Sequence, residues 1–497
     1  HGPGRPVPMT PPDTAPRGSL ADLQARFGRR YRWLLLLAVM VGTMASIMSS
    51  TIVNVAIPDL SGHFALGQER AQWVTSSFMV AMTVSMLTTP WLLLRYGYRR
   101  VYGGCMLLLL VGGVAGGLAN DFNLVLAARL AEGLAAGIVQ PIPAIIILRA
   151  FEPHEQGRAS AVFGTGVVLA PAIGPSIGGV LVDLWGWRSI FYMVVPFCLA
   201  ALWLARRYVP VTGPGGLAAD RDGAGLDWWG LALVTVATVA LLAGLVALRS
   251  GLSQQSALLL GAAAVATLGF VLLQRHLLRG ASGGGRQPLL DGRVFARQRY
   301  RMGSVVAFIY GAALFGSTYL VPVYLQMGLK LSAAYVGTLL LPAGLVLAAT
   351  IALVGRLADR QPPHRLVAAG LFMLALSFAA MVTVGYQTPM GWLLAWVVLG
   401  RIGLGFILPS LNLGAMRGLP GALIPQGASA INFLRMLGGA AGVALCGVAL
   451  EWRFAVHGPT LTAFNEVFVG LAALCALALI AALRMREADS STTAAKE

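Results

Sequence analysis

Four ionisable side chains fall deep inside apolar stretches of this 497-residue chain: Arg129, Glu132, Arg401 and Arg435. A charge at mid-bilayer depth costs about 3 kcal/mol on insertion scales, so each one needs a partner or a task. Arg129 and Glu132 are three residues apart, which places them on one helix face within pairing reach, and Ala136 and Gln140 continue the same stripe. Glu132 is the only carboxylate at this depth. Such a group can carry a proton, because burial and a neighbouring guanidinium act on it in opposite senses and a conformational change alters their balance. The plainer alternative is that Glu132 neutralises Arg129 and fixes helix packing. Arg401 and Arg435 read either as cavity charges or as donors to carbonyls at irregular helix ends. Polar and aromatic residues within the apolar stretches, namely Asn54, Gln140, Tyr310, Tyr319, Asn412 and Asn432, are candidates to line a substrate cavity, each with the alternative of bridging two helices.

Other chemistries find little support. The two lysines, Lys330 and Lys496, are not in a Gly-Lys-Ser/Thr setting, so no phosphate-binding loop of that kind is present and ATP does not drive this chain alone. Cys105, Cys198, Cys446 and Cys475 fall within apolar stretches without paired spacing, and all six histidines lie outside them, so neither a metal site nor a cofactor is expected. A membrane-embedded enzyme is disfavoured by the lack of deep histidines or paired carboxylates.

The elements that must position these residues are membrane spans. The chain is 57% hydrophobic and 11% charged, with mean hydropathy +0.75, more apolar surface than a soluble core can hide. Windows of about 20 residues, the length that crosses a ~30 Å hydrocarbon layer, predict fourteen spans: 33–57, 73–94, 101–119, 123–148, 159–182, 189–205, 228–248, 256–274, 302–325, 333–355, 366–385, 391–413, 427–450 and 465–483. Outside the spans, Arg70, Arg188, Arg249, Lys330 and Arg453 fall on one side, and every other Lys and Arg falls on the side of both termini. The positive-inside rule makes the termini cytoplasmic. The same asymmetry accounts for the net charge of +17 through contact with membrane lipid, and nucleic acid is not expected as a partner because no basic segment is interleaved with exposed aromatics.

A faint repeat runs through the chain. Arg95, Gly97, Arg99 and Arg100 form a tight basic turn after the second span, echoed by Gly355, Asp359 and Arg360 after the tenth; Arg129 with Gly133 is echoed by Arg401 with Gly405. Six spans, an inserted pair and six more would put the echoes at matching places. Parallel repeats of this kind bind substrate between the halves and work by rocking. The expected domains are a disordered leader over 1–32, with 1–8 as an appended segment before Met9, a six-helix bundle over 33–208, and a linker with an inserted hairpin over 209–275. A cytoplasmic loop over 276–301, a second six-helix bundle over 302–485 and a tail over 486–497 complete the chain.

The segment Pro171-Ala172-Ile173-Gly174-Pro175-Ser176-Ile177-Gly178-Gly179 is built for close, deformable packing. It resembles the antiporter motif on the fifth span of major facilitator exporters. With Thr51-Ile52-Val53-Asn54-Val55-Ala56-Ile57-Pro58, Trp185-Gly186-Trp187-Arg188, Pro288-Leu289-Leu290-Asp291, Tyr324-Leu325-Gln326 and Asn432-Phe433-Leu434-Arg435 in this order, the chain is similar to the fourteen-span drug:proton antiporter-2 family, the EmrB/QacA type, over residues 30–485. The resemblance implies an all-α major facilitator fold and a proton-driven multidrug efflux permease of the bacterial inner membrane. It also makes a periplasmic adaptor and an outer-membrane channel candidate partners. Export of a lipid or fatty acid, or transport of a specific solute, is the alternative within the fold. Two departures stand out: the family's first-span aspartate is Ser49, and the acid of the second-to-third loop is Leu94. That loop is thought to lock the inward gate by charge pairing, which puts the lock of this half in doubt, whereas Asp359 keeps the pattern in the other. Three deep arginines against one glutamate favour lipophilic weak acids as substrates; the alternative, if Arg401 and Arg435 face backbone carbonyls, is a neutral amphiphile or a cation held by aromatic faces.

Overall fold

The computed structural model describes residues 18–66, 70, 73–216, 219–220, 224–279 and 286–485, with side chains at 54–55, 58, 171–176, 250, 333–334 and 337 left aside. The described chain is helical throughout, and its one strand-like pairing is an isolated bridge between Leu226 and Gln287. A short helix α1 (Leu20–Phe27) precedes α2 (Tyr31–His63), α3 (Trp73–Ser85), α4 (Thr89–Leu118), α5 (Phe122–Val139), α6 (Ile142–Ala150), α7 (Gln156–Trp185) and α8 (Ser189–Tyr208). Next come α9 (Trp228–Ala247) and α10 (Gln254–Arg279), then α11 (Gln298–Val323), α12 (Ala333–Ala358), α13 (Pro363–Met381), α14 (Met390–Met416), α15 (Ile424–His457) and α16 (Leu461–Leu483).

Twelve helices among the described residues are long and apolar enough to cross a membrane, against the fourteen predicted. One of the twelve runs from Trp73 to Leu118, 46 residues, and contains a non-helical Gly97 at φ 76° and ψ 167°. The outward faces are oily: Val265 is 73% exposed and Leu341 67%. In water such surfaces would aggregate, whereas against lipid they cost nothing. The chain is a multi-pass membrane protein.

Helices α2 to α8 pack among themselves, as do α11 to α16. The close approaches depend on glycine. A Cβ on Gly438 or Gly311 would run into the backbone of the partner helix across the α11/α15 crossing. Helices α9 and α10 pack chiefly on each other, while α9 also touches α3 and α15. Their base is clipped by Asp227, fully buried, which accepts from the Gly230 amide (2.9 Å) and the Gln274 side chain (2.7 Å).

Part of the expected disordered leader is folded. Ser19 caps α1 by accepting from the Asp22 amide, and Leu23 is buried. An eight-residue amphipathic helix is too short and polar to register in a 20-residue hydropathy window. The predicted fourth span is a single 29-residue run, Phe122–Ala150, with a turn at Gln140 and Pro141 where proline cannot supply the ladder N–H. Cys105, Cys198, Cys446 and Cys475 are free and buried.

Candidate functional site

Helix α5 presses on α3 through Gly133 and Gly137, one turn apart, where a Cβ would meet the Phe78 and Met82 carbonyls. This small-residue seam draws Arg129 into the bundle. The residue is 1% exposed, and its guanidinium joins three helices. It donates through Nη1 to Glu132 Oε2 (2.6 Å) and Ser49 Oγ (2.9 Å), through Nη2 to the Ser49 carbonyl (3.1 Å) and through Nε to the Val74 carbonyl (3.3 Å). The Phe78 ring lies 4.2 Å from its central carbon, a cation–π contact. Ser49 also donates to Glu132 Oε2 (3.3 Å).

Glu132 is wholly buried, and its second oxygen, Oε1, has no hydrogen-bond partner. An orphaned buried acceptor costs about 1–3 kcal/mol. The space it faces exists because α4 carries Gly112 and Gly113 there; a Cβ on Gly112 would stand 2.7 Å from Glu132 Cγ, and one on Gly113 3.5 Å from Oε1. The ion pair expected from the three-residue spacing is therefore present, and Ser49 completes it. Phe78, Val74 and the two glycines were missed by sequence reasoning, although the paired Gly112-Gly113 was a signal of close approach.

A second constellation closes the face that carries most of the arginines. Asp359, at the end of α12, accepts from the amides of Gly157 (2.6 Å) and Arg158 (3.1 Å) in the first turn of α7. A carboxylate at a helix N-terminus meets both free N–H groups and the positive end of the dipole. Burial raises the Asp359 carboxyl from its ordinary value, and the two amide bonds oppose that. Gly355 lies against Ala161 and Gly157 so closely that no Cβ fits. On the other flank Arg149 donates to the Gly421 carbonyl.

The first basic turn behaves differently. Gly97, Tyr98 and Arg99 are held by their own half: Tyr98 N donates to Thr212 O (3.1 Å), and Arg99 donates through N to Pro210 O (3.0 Å) and Nε to Val209 O (2.7 Å). Arg95 lies over Trp91, Arg100 and Arg360 are exposed, and Asp220 N donates to the carbonyl of Leu94 (3.1 Å).

Where α6 and α7 meet α14 and α15 lies a narrow cavity of about 40 Å³. Gln140, Asn412, Asn432 and Arg435 line it together, and Arg435 is its one charged lining residue among the described residues. Arg435 donates to Asn432 Oδ1 (2.7 Å), so its partner is a side-chain amide, where a backbone carbonyl was one expectation. Arg401 goes elsewhere, into a separate small hollow with Ser317 and Ser377. Tyr310 is buried within electrostatic reach of both arginines, and Tyr319 is half-buried on the same helix. The side chains of Asn54, Pro171 and Pro175, and position Gly174, lie outside the described residues. Gly178 packs α7 on α2, where a Cβ would approach Ile52 Cγ1 at 2.5 Å, and Gly179 follows it on the same helix.

The Asp359 clasp gives the first expected outcome. Asp359→Asn replaces one of the two accepting oxygens by an N–H donor, so one of the two α7 amides loses its partner, a loss of about 1 kcal/mol. A cysteine introduced at Asn412 should then react several-fold faster with a thiol reagent applied from the arginine-rich face; an unchanged rate would mean the clasp does not hold this face shut.

A buried ion pair lies in one half, a clasp joins the halves, and a small, largely apolar cavity holding Gln140, Asn412, Asn432 and Arg435 lies at their seam. The sequence matches the profile of the Major Facilitator Superfamily over residues 39–443, and the chain belongs to that family. It is 27% identical over 456 residues, 90% of this chain and 81% of the relative, to the Multidrug resistance protein B homolog of Mycobacterium tuberculosis (strain ATCC 25618 / H37Rv). It is 25% identical over 428 residues, 86% of this chain and 87% of the relative, to the Lincomycin resistance protein LmrB of Bacillus subtilis (strain 168). Among solved structures, the human organic anion transporter MFSD10 (TETRAN) superposes with TM-score 0.62 at 15% identity, covering 91% of this chain and 99% of that one, a likeness of fold.

Proposed function

We propose that this protein is a proton-driven exporter of amphiphilic compounds that works by alternating access in a bacterial inner membrane. The observation that carries the reading is the sealed Arg129–Glu132–Ser49 cluster with its orphan oxygen. A proton arriving at Glu132 Oε1 neutralises the carboxylate and weakens its hold on Arg129, whose other bonds run to α2 and α3. Proton binding thereby alters how three helices of one half are tied, which is what coupling to a rocking motion requires. Relatives named for multidrug and lincomycin resistance support the efflux direction.

Fourteen crossings fit the helices if the run Trp73–Leu118 counts as two arms about Gly97 and α7, 30 residues long, crosses as well. The arginine-rich face is then cytoplasmic, with both termini, and Asp359 and Arg149 form the inward gate. An adaptor and an outer-membrane channel remain candidate partners of the EmrB-type reading.

For substrate sign, a cavity whose charged lining residue is Arg435 favours lipophilic weak acids, fatty acids included. Uptake into inverted vesicles, driven by an imposed proton gradient across a panel of lipophilic carboxylates, phenols and quaternary ammonium dyes, tests direction and sign together. Arg435→Gln should lower carboxylate transport by about tenfold, the worth of one charge-assisted hydrogen bond, and leave neutral amphiphiles nearly unchanged. Equal loss across the panel would make Arg435 a packing residue.

A further inference from the structure

At the arginine-rich end of the first half, α1 lies beside the end of α8 and borders an open groove of about 480 Å³. Four guanidinium side chains from three parts of the chain line it: Arg26 of α1, Arg99 after the Gly97 turn, and Arg206 and Arg207 in the last turn of α8. Basic residues at a helix C-terminus ordinarily complement the dipole, which accounts for Arg206 and Arg207 but not for the convergence of Arg26 and Arg99 on the same space. One carboxylate lies nearby: Asp22 accepts from the Gly18 amide (2.7 Å) and also acts electrostatically on Arg99, so it offsets part of the positive charge and leaves a net excess of cations. The groove is a fixed one. Phe27 meets Tyr208 edge to face at 5.4 Å, Leu23 is buried, Val211 N donates to Gly18 O (3.1 Å), and Arg99 is tied to Val209.

Its surroundings indicate the depth. Trp203, one turn before Arg206, is 57% exposed, with Arg207 over its ring at 5.5 Å, and Leu199, a further turn along, is 54% exposed. A tryptophan at the end of an apolar surface marks the headgroup level, and Leu199 continues toward the acyl chains. Four cations at this level suit a phosphodiester, which arginine recognises through paired N–H donors.

We propose that this groove is a binding site for the phosphate headgroup of an anionic phospholipid, with α1 as one wall and the lipid chains running along α8 past Trp203. The site is independent of the transport reading and would exist whatever the substrate.

Arg206 and Arg207 are exposed, so Arg206→Gln/Arg207→Gln should fold as the parent does. The protein, exchanged into micelles holding equal amounts of phosphatidylglycerol and phosphatidylcholine, is assayed by native mass spectrometry for retained lipid. The parent should retain phosphatidylglycerol preferentially, and the double variant should lose that preference by on the order of twentyfold, at roughly fivefold per arginine. Equal retention by parent and variant would overturn the site, reducing it to general attraction of a basic face. A parallel arm measures protection of Arg206 and Arg207 from an arginine-modifying reagent. Protection by phosphatidylglycerol vesicles and not by inorganic phosphate supports the lipid; protection by inorganic phosphate alone overturns the lipid in favour of a soluble phosphate.

Discussion

Glu132→Gln should abolish uphill, proton-driven transport while leaving downhill exchange of substrate across the membrane. The glutamine amide imitates the protonated acid in size and charge and cannot cycle. The substitution also leaves Arg129, 1% exposed, without its counter-ion, and breaking a buried pair in this way costs about 3–5 kcal/mol. Arg129 cannot shed its charge, whereas Glu132, left alone, can take up a proton. Arg129→Gln should therefore destabilise less than Glu132→Gln although both are uncoupled. Replacing both by methionine should fold more stably than Glu132→Gln does, because no charge is stranded. Thermal midpoints in detergent read the order; counterflow in proteoliposomes separates lost coupling from lost folding. If Arg129→Gln is the less stable of the two single variants, the pair is held together by something other than charge.

The larger test moves the acid. Ser49 Oγ is 2.9 Å from Arg129 Nη1 and 3.3 Å from Glu132 Oε2, so an aspartate at position 49 reaches the same guanidinium from α2. Ser49→Asp combined with Glu132→Gln should restore both stability and proton-driven transport, recovering most of what Glu132→Gln loses. Ser49→Asp alone puts two carboxylates on one arginine, which raises the proton affinity of one of them. Its transport should persist to more alkaline pH than the parent's. A double variant as dead as Glu132→Gln would show that α5, and not the shared guanidinium, is the element the proton must reach.

The contrast between Arg129–Glu132 and Ser49 shows where sequence reasoning reached and where it stopped. The pair was legible because both residues sit on one helix, where spacing fixes geometry. Ser49 lies 80 residues from Arg129, and only the resemblance drew attention to it, as a missing aspartate. Helix positions followed from hydropathy, but α2 extends from Tyr31 to His63 where 33–57 was expected, since hydropathy reads the hydrocarbon layer and not the turns beyond it. Arg401 and Arg435 looked equivalent and are not. Helices apolar on nearly every face carry no amphipathic stripe that fixes their rotation, so which arginine meets the cavity at the seam depended on packing. The turn at Gly97 was legible as a turn; its clamp to Val209, Pro210 and Thr212, more than a hundred residues on, was not.

Glu132 should give up a proton when substrate is taken. The direct measurement is the pH of a weakly buffered solution of the purified protein as a transported amphiphile is added. The parent protein should release protons in proportion to the substrate bound, Glu132→Gln should bind the same substrate and release none, and Ser49→Asp/Glu132→Gln should release them again. Undiminished proton release from Glu132→Gln would contradict the account and return Glu132 to the role of a packing counter-ion.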